Sequence, residues 1–472
     1  MWYIDKAYIG GKFVAVSGSK EIESINPANE KVIGRVRLAD RNDARRAIIA
    51  ASQAQNRLRE TSRKDRVEML MALKSAVLRR TADLQQATIE EYGGPLSRSR
   101  WVSQYASQCF SDAADTLQNY PFTKKIGAAT VVMEPVGVSA LIAPWNSVTG
   151  SVCSKLAFSL AAGCASVIKP SELGAMQTQV LAEALHEAGL PDGVFNILLG
   201  NGDDVGDEIC RHPLIARISF TGSTATGKNI ARTATETLKR VTLGLTGKSA
   251  SILLDDADLD VAIPLAINAA FLNNGQACVA GSRLLVPESL LEDVITRVRL
   301  HVSTLKTGLP DDPATEIGPL ANRSQYDRIQ RYIRLGIEQG AEIIVGGEGR
   351  PDGLEKGFFV RPTVFAKVEN QMDIAREEIF GPVLSIISYS DRGDAIRIAN
   401  DSLYGLQAYV FTSNTESALH ISRHLQAGSV LINRIIPELL APFGGVKQSG
   451  IGREFGIFGL ESFLEPKSIV TG

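Results

Sequence analysis

From about residue 136 the chain alternates short apolar runs with stretches of helical period. The runs are Val138–Ile142, Ala165–Lys169, Val194–Leu199 and Ile215–Phe220. Each has the length of a buried strand, and each is followed by a helix-like stretch, as between Glu172 and Ala188. That alternation is the strand–helix–strand signature of a parallel, doubly wound sheet. A second series runs from Ala250–Leu254 through Ser282–Val286 to Gly428–Ile432, enough for another α/β unit, with the break near Gly244 to Gly247. Before residue 120 the pattern is mostly helical, with charged amphipathic stretches at 41–60 and 63–92. Two further segments, Thr130–Pro135 and Phe463–Val470, read as strands attached to neither series. Apolar strands with open edges need covering, either by another subunit or within an ordinary edge hairpin. The expected division is one unit over 1–116 and 136–247, a second over 248–447, and a bridging region over 117–135 and 448–472.

At 472 residues the chain exceeds what one hydrophobic core usually supports, in keeping with that division. Fifty Lys and Arg stand against 52 Asp and Glu. With no Lys/Arg-dense run there is no footprint for a phosphate backbone, so nucleic acid is not an expected partner. The start, Met1-Trp2-Tyr3-Ile4-Asp5-Lys6, lacks the basic end and apolar core of a signal peptide, and no eighteen-residue apolar stretch could span a bilayer, which reads as a cytoplasmic protein without a membrane partner. Five cysteines without CxxC spacing and five scattered histidines argue against a disulfide framework and a metal site.

Candidate chemistry gathers at strand ends. Cys278 lies in Asn273-Asn274-Gly275-Gln276-Ala277-Cys278-Val279-Ala280-Gly281, between glycine-bearing turns, as a nucleophile would, although cysteine is also a common small core residue. Phe220-Thr221-Gly222-Ser223-Thr224-Ala225-Thr226-Gly227-Lys228 ends a strand and opens a helix, where free amides favour a phosphate and Gly222 lets the backbone come close. It nearly spells a P-loop, but Asn229 stands where a magnesium-binding hydroxyl should be. In the turn Gly200-Asn201-Gly202-Asp203-Asp204-Val205-Gly206 the third glycine falls one residue too late for a dinucleotide fingerprint. The amide of Asn146, in Pro144-Trp145-Asn146, is placed to donate to a developing oxyanion. Lys169-Pro170-Ser171-Glu172 offers an acid and a base to a ribose, and equally a helix start with Ser171 as its cap.

Taken in order, these motifs, with EEIFGPV at 377–383 and PFGGVKQSGIGRE at 442–454, resemble the NAD(P)-dependent aldehyde dehydrogenase superfamily over nearly the whole chain. The resemblance implies a Rossmann-type NAD-binding domain, an α/β catalytic domain and a small β region for oligomerisation, here a homodimer or homotetramer acting on a small-molecule aldehyde. It further implies that Cys278 attacks the aldehyde, that Asn146 and the Cys278 amide form the oxyanion hole, and that a hydride passes to the cofactor before water releases the thioacyl enzyme. Lys169 and Glu172 match adenosine-ribose contacts, with Glu172 favouring NAD over NADP. Trp145 and Ser223 match pyrophosphate contacts, Glu378 and Phe380 the nicotinamide ribose and ring, and Ser171, Gly202, Thr221, Gly222 and Gly227 are further expected cofactor-binding positions. An unshifted thiol near 8.5 is only a few per cent thiolate at neutral pH, so a nearby positive end or base is expected to activate Cys278.

The chain leaves the family pattern in two places. Where Leu-Glu-Leu-Gly-Gly-Lys-Ser usually carries the general base, this chain has Leu243-Gly244-Leu245-Thr246-Gly247-Lys248-Ser249, so Gly244 holds the base position without a base. A missing base costs a contribution of ~10²–10⁴ in rate. Three explanations follow: a proton relay through Glu454 and Lys155, coenzyme A as acyl acceptor in a semialdehyde dehydrogenase manner, or a homologue impaired in deacylation. Small residues also follow the PWN tripeptide, namely Ser147, Gly150, Ser151 and Ser154. They predict a wide mouth for a bulky or aromatic aldehyde, completed by Leu272, Ala277, Val279, Pro437 and Phe443, unless a neighbouring element fills the space.

Overall fold

The computed structural model describes residues 1–471. Its first large sheet has eight strands in the spatial order Gly450–Ile451, Arg240–Gly244, Arg217–Thr221, Ser139–Ile142, Ser166–Lys169, Phe195–Ile197, Lys6–Ile9 and Lys12–Ala15. The five from Arg240–Gly244 to Phe195–Ile197 are parallel, and antiparallel strands close both ends. The central parallel strands are largely buried, as expected where helices cover both faces. Helix Val148–Ala162, for instance, is buried over nearly its whole length.

The second large sheet has seven strands in the order Glu342–Val345, Thr363–Ala366, Val383–Tyr389, Arg283–Pro287, Ala250–Leu253, Gln407–Phe411 and Ser429–Ile432. All pair in parallel except the first two. Successive side chains point to opposite faces, and two separate cores result. Ile252 and Leu285 pack on one face, while Leu253, Leu284 and Val286 pack on the other.

Thr130–Pro135 and Phe463–Val470 find each other. Strand Leu464–Val470 pairs antiparallel with Ala129–Pro135, from Leu464 opposite Pro135 to Val470 opposite Ala129, and Thr123–Ile126 adds a third strand. Ile126, Ile469 and Val470 stay exposed on this small sheet. Residues 448–471 do not form one unit with this sheet, because Gly450–Ile451 pairs in the first large sheet.

The N-terminal region departs from the mostly helical expectation. Helices cover Arg41–Arg59, Arg63–Arg79, Thr81–Ala87 and Leu96–Asn119, but residues 2–37 form five short strands. Lys6–Ile9 and Lys12–Ala15 form a hairpin on the edge of the first sheet, joined by Gly10 and Gly11, both at positive φ. Gly-Gly between two strands is a recognised hairpin signal. These strands are only three to six residues long and rich in charge, so their alternation is too short to register as a pattern.

Candidate active site

Strands Ser139–Ile142 and Arg217–Thr221 are neighbours, although the chain visits Ser166–Lys169 and Phe195–Ile197 between them. The direction of winding reverses there, so the loops leaving the two carboxyl ends diverge and open a crevice. One loop supplies Trp145 and Asn146, the other Thr221, Gly222 and Ser223. With Gly244, Cys278, Glu378 and Phe380 they line a cavity of about 520 Å³.

The loop carrying Cys278 is held by contacts from distant parts of the chain. Asn273 and Asn274 both adopt left-handed backbone conformations, φ 56° and 58°, which asparagine tolerates better than most residues. The Asn274 amide donates to the carbonyls of Gly93 (3.3 Å) and Pro319 (3.0 Å) and accepts from Gly318 N–H (2.8 Å). Gln276 donates to the Tyr92 hydroxyl (3.1 Å) and accepts from Ala321 N–H (3.1 Å). Gly247 must lack a side chain, since a Cβ there would fall 2.1 Å from the Cys278 carbonyl oxygen.

The same loop anchors Asn146. Its Nδ2 donates to the Gln276 carbonyl at 2.8 Å, and Asn273 Nδ2 donates to the Asn146 carbonyl at 3.1 Å. One Asn146 N–H is thereby used, and the second remains to receive a substrate oxygen. Across the cavity the Phe380 ring meets Trp145 edge-on at 5.4 Å, from a backbone at φ 67°. The Glu378 carboxylate accepts Gly247 N–H at 3.0 Å, and Arg328 donates to the Glu378 carbonyl at 2.5 Å. Burial pushes Glu378 up to about 7.

Burial also pushes the Cys278 thiol up to about 12, and the charges of Glu378 and Glu454 act in the same direction. The backbone amides of Cys278 and Val279 oppose this. The positive activator expected from the sequence is not among the groups that act on this thiol most strongly. All five cysteines are free thiols. Among the described residues no group of three or more His, Cys, Asp and Glu is placed to hold a metal ion, and no helix is long and apolar enough to cross a membrane.

The sequence profile of the aldehyde dehydrogenase family matches residues 13–469. The chain belongs to the aldehyde dehydrogenase family. Aldehyde dehydrogenase C of Pseudomonas syringae, solved as a cysteine-to-alanine mutant with NAD⁺ and octanal, is 41% identical with a TM-score of 0.97, covering 99% of this chain and 96% of that one. An aldehyde dehydrogenase of Bacillus cereus in its NAD⁺ complex is 37% identical with a TM-score of 0.95, over 99% and 96% of the two chains. A third, from Bartonella henselae, is 35% identical with a TM-score of 0.97 over the full length of both.

For an aldehyde dehydrogenase the remaining positions are informative. Gly244 ends strand Arg240–Gly244 and borders the cavity; the atom nearest a Cβ built there would be Thr221 Oγ1 at 3.3 Å, with the Phe220 carbonyl at 3.9 Å. That strand is paired on its other side by Gly450, opposite Gly244, and the chain continues from there to Glu454. Glu454 forms an ion pair with the buried Lys155 and accepts from Ser219 Oγ at 3.0 Å, while Lys155 also donates to Ser219 Oγ at 3.0 Å.

Lys169 and Glu172 pair at 3.4 Å beside the crevice, and burial pushes Lys169 down. They lie outside the residues that line the cavity, as do Ser171, Gly202 and Gly227. Ser171 caps Leu173 N–H, Gly202 begins the turn Gly202–Gly206, and Gly227 packs against Leu245. Ser223 borders the cavity and caps helix Thr224–Thr235 through Thr226 N–H. On the substrate side, Pro437 and Phe443 line a separate groove of about 290 Å³ with Phe455. Ser147, Ser151, Leu272, Ala277 and Val279 are partly exposed. Gly150 does not face open space, because a Cβ there would lie 2.8 Å from the Tyr105 ring, itself stacked on Trp101 at 4.9 Å. Arg328 and Tyr404 also line the cavity; no motif marks either in the sequence.

Proposed function

We propose that the chain oxidises an aldehyde to the carboxylic acid, with NAD as hydride acceptor and water as acyl acceptor. The observation that carries this reading is the convergence of Cys278, Asn146, Glu378 and Phe380 on one cavity. Its size and mixed polar and aromatic lining fit a nicotinamide riboside, and the two relatives solved with NAD⁺ have the same fold. NAD, when bound, supplies the hydride acceptor. Glu378 and Phe380 would hold the nicotinamide ribose and ring, Trp145 and Ser223 the pyrophosphate, and Lys169 and Glu172 the adenosine ribose. The Glu172 carboxylate repels a 2′-phosphate, which disfavours NADP.

Cys278 gives its proton to water, and its sulfur bonds to the carbonyl carbon. The oxygen becomes an oxyanion that Asn146 Nδ2 and the Cys278 amide stabilise, each such donor typically by about 3 kcal/mol. After oxidation the acyl group remains as a thioester on Cys278. A water must then lose a proton as it attacks, and Gly244 accepts none. In this reading Glu454 takes that proton through water, with Lys155 and Ser219 holding its carboxylate. Support comes from the docking of its segment onto the strand that ends at Gly244.

The proposed substrate is a bulky apolar aldehyde, aromatic ones included. The groove of Pro437, Phe443 and Phe455 offers an apolar wall, although Tyr105 covers Gly150 and narrows the mouth that the small residues imply. The octanal bound by the Pseudomonas syringae relative is also a large apolar aldehyde. The test is turnover with NAD in the absence of coenzyme A, following both NADH and the acid. Sustained acid formation is expected, with kcat/KM for benzaldehyde or octanal at least about tenfold above acetaldehyde. A requirement for coenzyme A would overturn water as acceptor, and a preference for acetaldehyde would overturn the substrate class.

A further inference from the structure

Behind the cofactor side of the cavity, on the far side of Gly247, lie two buried cations that meet no carboxylate. Lys248 is 3% exposed and its Nζ has no hydrogen-bond partner; Ser249, also 3% exposed, has an unpartnered hydroxyl. Arg283 is 2% exposed and spends its hydrogen bonds on neutral acceptors: the carbonyls of Lys248 (3.2 Å), Ile398 (3.0 Å) and Ala399 (3.0 Å) and the Asn370 side chain (3.0 Å). The three residues line one small cavity of about 20 Å³ together with Asn400, Tyr404 and Gln407.

The surrounding carboxylates are engaged elsewhere. Asp401 pairs with Arg376 at 2.9 Å, Glu378 accepts Gly247 N–H, and Glu377 accepts the Tyr332 hydroxyl. A third cation, Lys447, donates to the carbonyls of Asn400 (2.6 Å) and Ser402 (3.1 Å). Two cations, Lys248 and Arg283, line the cavity, and no anionic side chain does. A buried charge without a partner is costly; burial and the repulsion of Arg283 lower the Lys248 ammonium to about 7, although the charges of Glu378 and Glu377 act the other way. A bound anion would relieve both penalties.

We propose that the cavity bounded by Lys248, Ser249 and Arg283 binds a small inorganic monoanion of halide size. The space admits one water-sized or halide-sized centre and excludes phosphate. Lys248 and Ser249 supply the free donors, and Arg283 supplies charge. The site is separate from the thiol chemistry and borders the cofactor cavity through Tyr404, which lines both.

Bromide is the probe. Crystals of the full chain grown in bromide are expected to show one anomalous peak within hydrogen-bond reach of Lys248 Nζ and Ser249 Oγ. Ordinary water density at that position would overturn the proposal. In solution, replacing gluconate by chloride at matched ionic strength is expected to raise the melting temperature saturably, by about 2 °C, and Lys248→Met is expected to abolish the rise. An equal rise in wild type and Lys248→Met would also overturn it. If Lys248→Met does not fold, the wild-type anomalous map decides alone.

Discussion

The loop Asn273–Cys278 and the strand end at Gly244 face the same cavity, yet they differ sharply in the chemistry they bring to it. The loop carries Cys278, the proposed nucleophile, anchors Asn146 and is tied by side-chain amides to Tyr92, Gly93, Gly318, Pro319 and Ala321. The strand end offers only backbone, with Thr221 beside it. Attack on the aldehyde and release of the acyl group are thus served by regions of unequal equipment. In this account the attack half is preorganised, and release depends on Glu454, which lies on a separate C-terminal segment, is held by Lys155 and Ser219, and acts through water.

Removing the thiol erases the contrast altogether. Cys278→Ala is expected to lower hydride transfer by about 10⁶ while leaving the melting temperature close to wild type, since the loop is held by its neighbours; single-turnover absorbance of NADH measures it. Filling the bare side should narrow the contrast. Gly244→Glu is expected to raise the rate of acid release by ~10²–10⁴, because the side chain nearest its Cβ is Thr221, with Oγ1 at 3.3 Å, and a hydroxyl can turn aside. Rapid-quench measurement of acid formation checks this, and an unchanged rate would mean that release does not wait on a base at that position.

Asn146→Ala acts on both halves, because both pass through an oxyanion, and a fall of about 10²–10³ in each rate is expected. The smallest effect concerns the resting thiol. With Cys278 pushed up to about 12, the thiolate fraction is minute at neutral pH and grows as pH rises. Iodoacetamide labelling should therefore accelerate about tenfold per pH unit with no plateau until about 12. A plateau near the ordinary thiol value of about 8.5 would show that an activating group acts on the free enzyme.

What could be read in the sequence was whatever is local. The alternation from residue 136 gives the parallel sheets, and PWN and FTGSTATG each follow a strand, so spacing alone puts their residues at strand ends, whereas GQAC lies between helix Leu259–Phe271 and strand Arg283–Pro287. What could not be read depends on contacts between distant residues. Asn274 looks like a turn residue until Gly93 and Pro319 appear beside it, and Gly150 looks like an opening until Tyr105 covers it. Residues 2–37 were missed for another reason: strands of three to six residues are too short for alternation to show, and the Gly10-Gly11 turn was the one signal available. Lys248 gave no sign at all, since the absence of a partner is a property of three-dimensional surroundings.

The central claim, that water releases the acyl group by way of Glu454 although Gly244 has no base, is tested most directly by stopped-flow NADH traces of wild type and Glu454→Gln without coenzyme A. The account predicts sustained turnover in the wild type, and in Glu454→Gln a burst of unchanged rate followed by a steady rate about 10²-fold lower. A stall after one turnover in the wild type, or undiminished steady turnover in Glu454→Gln, would contradict it.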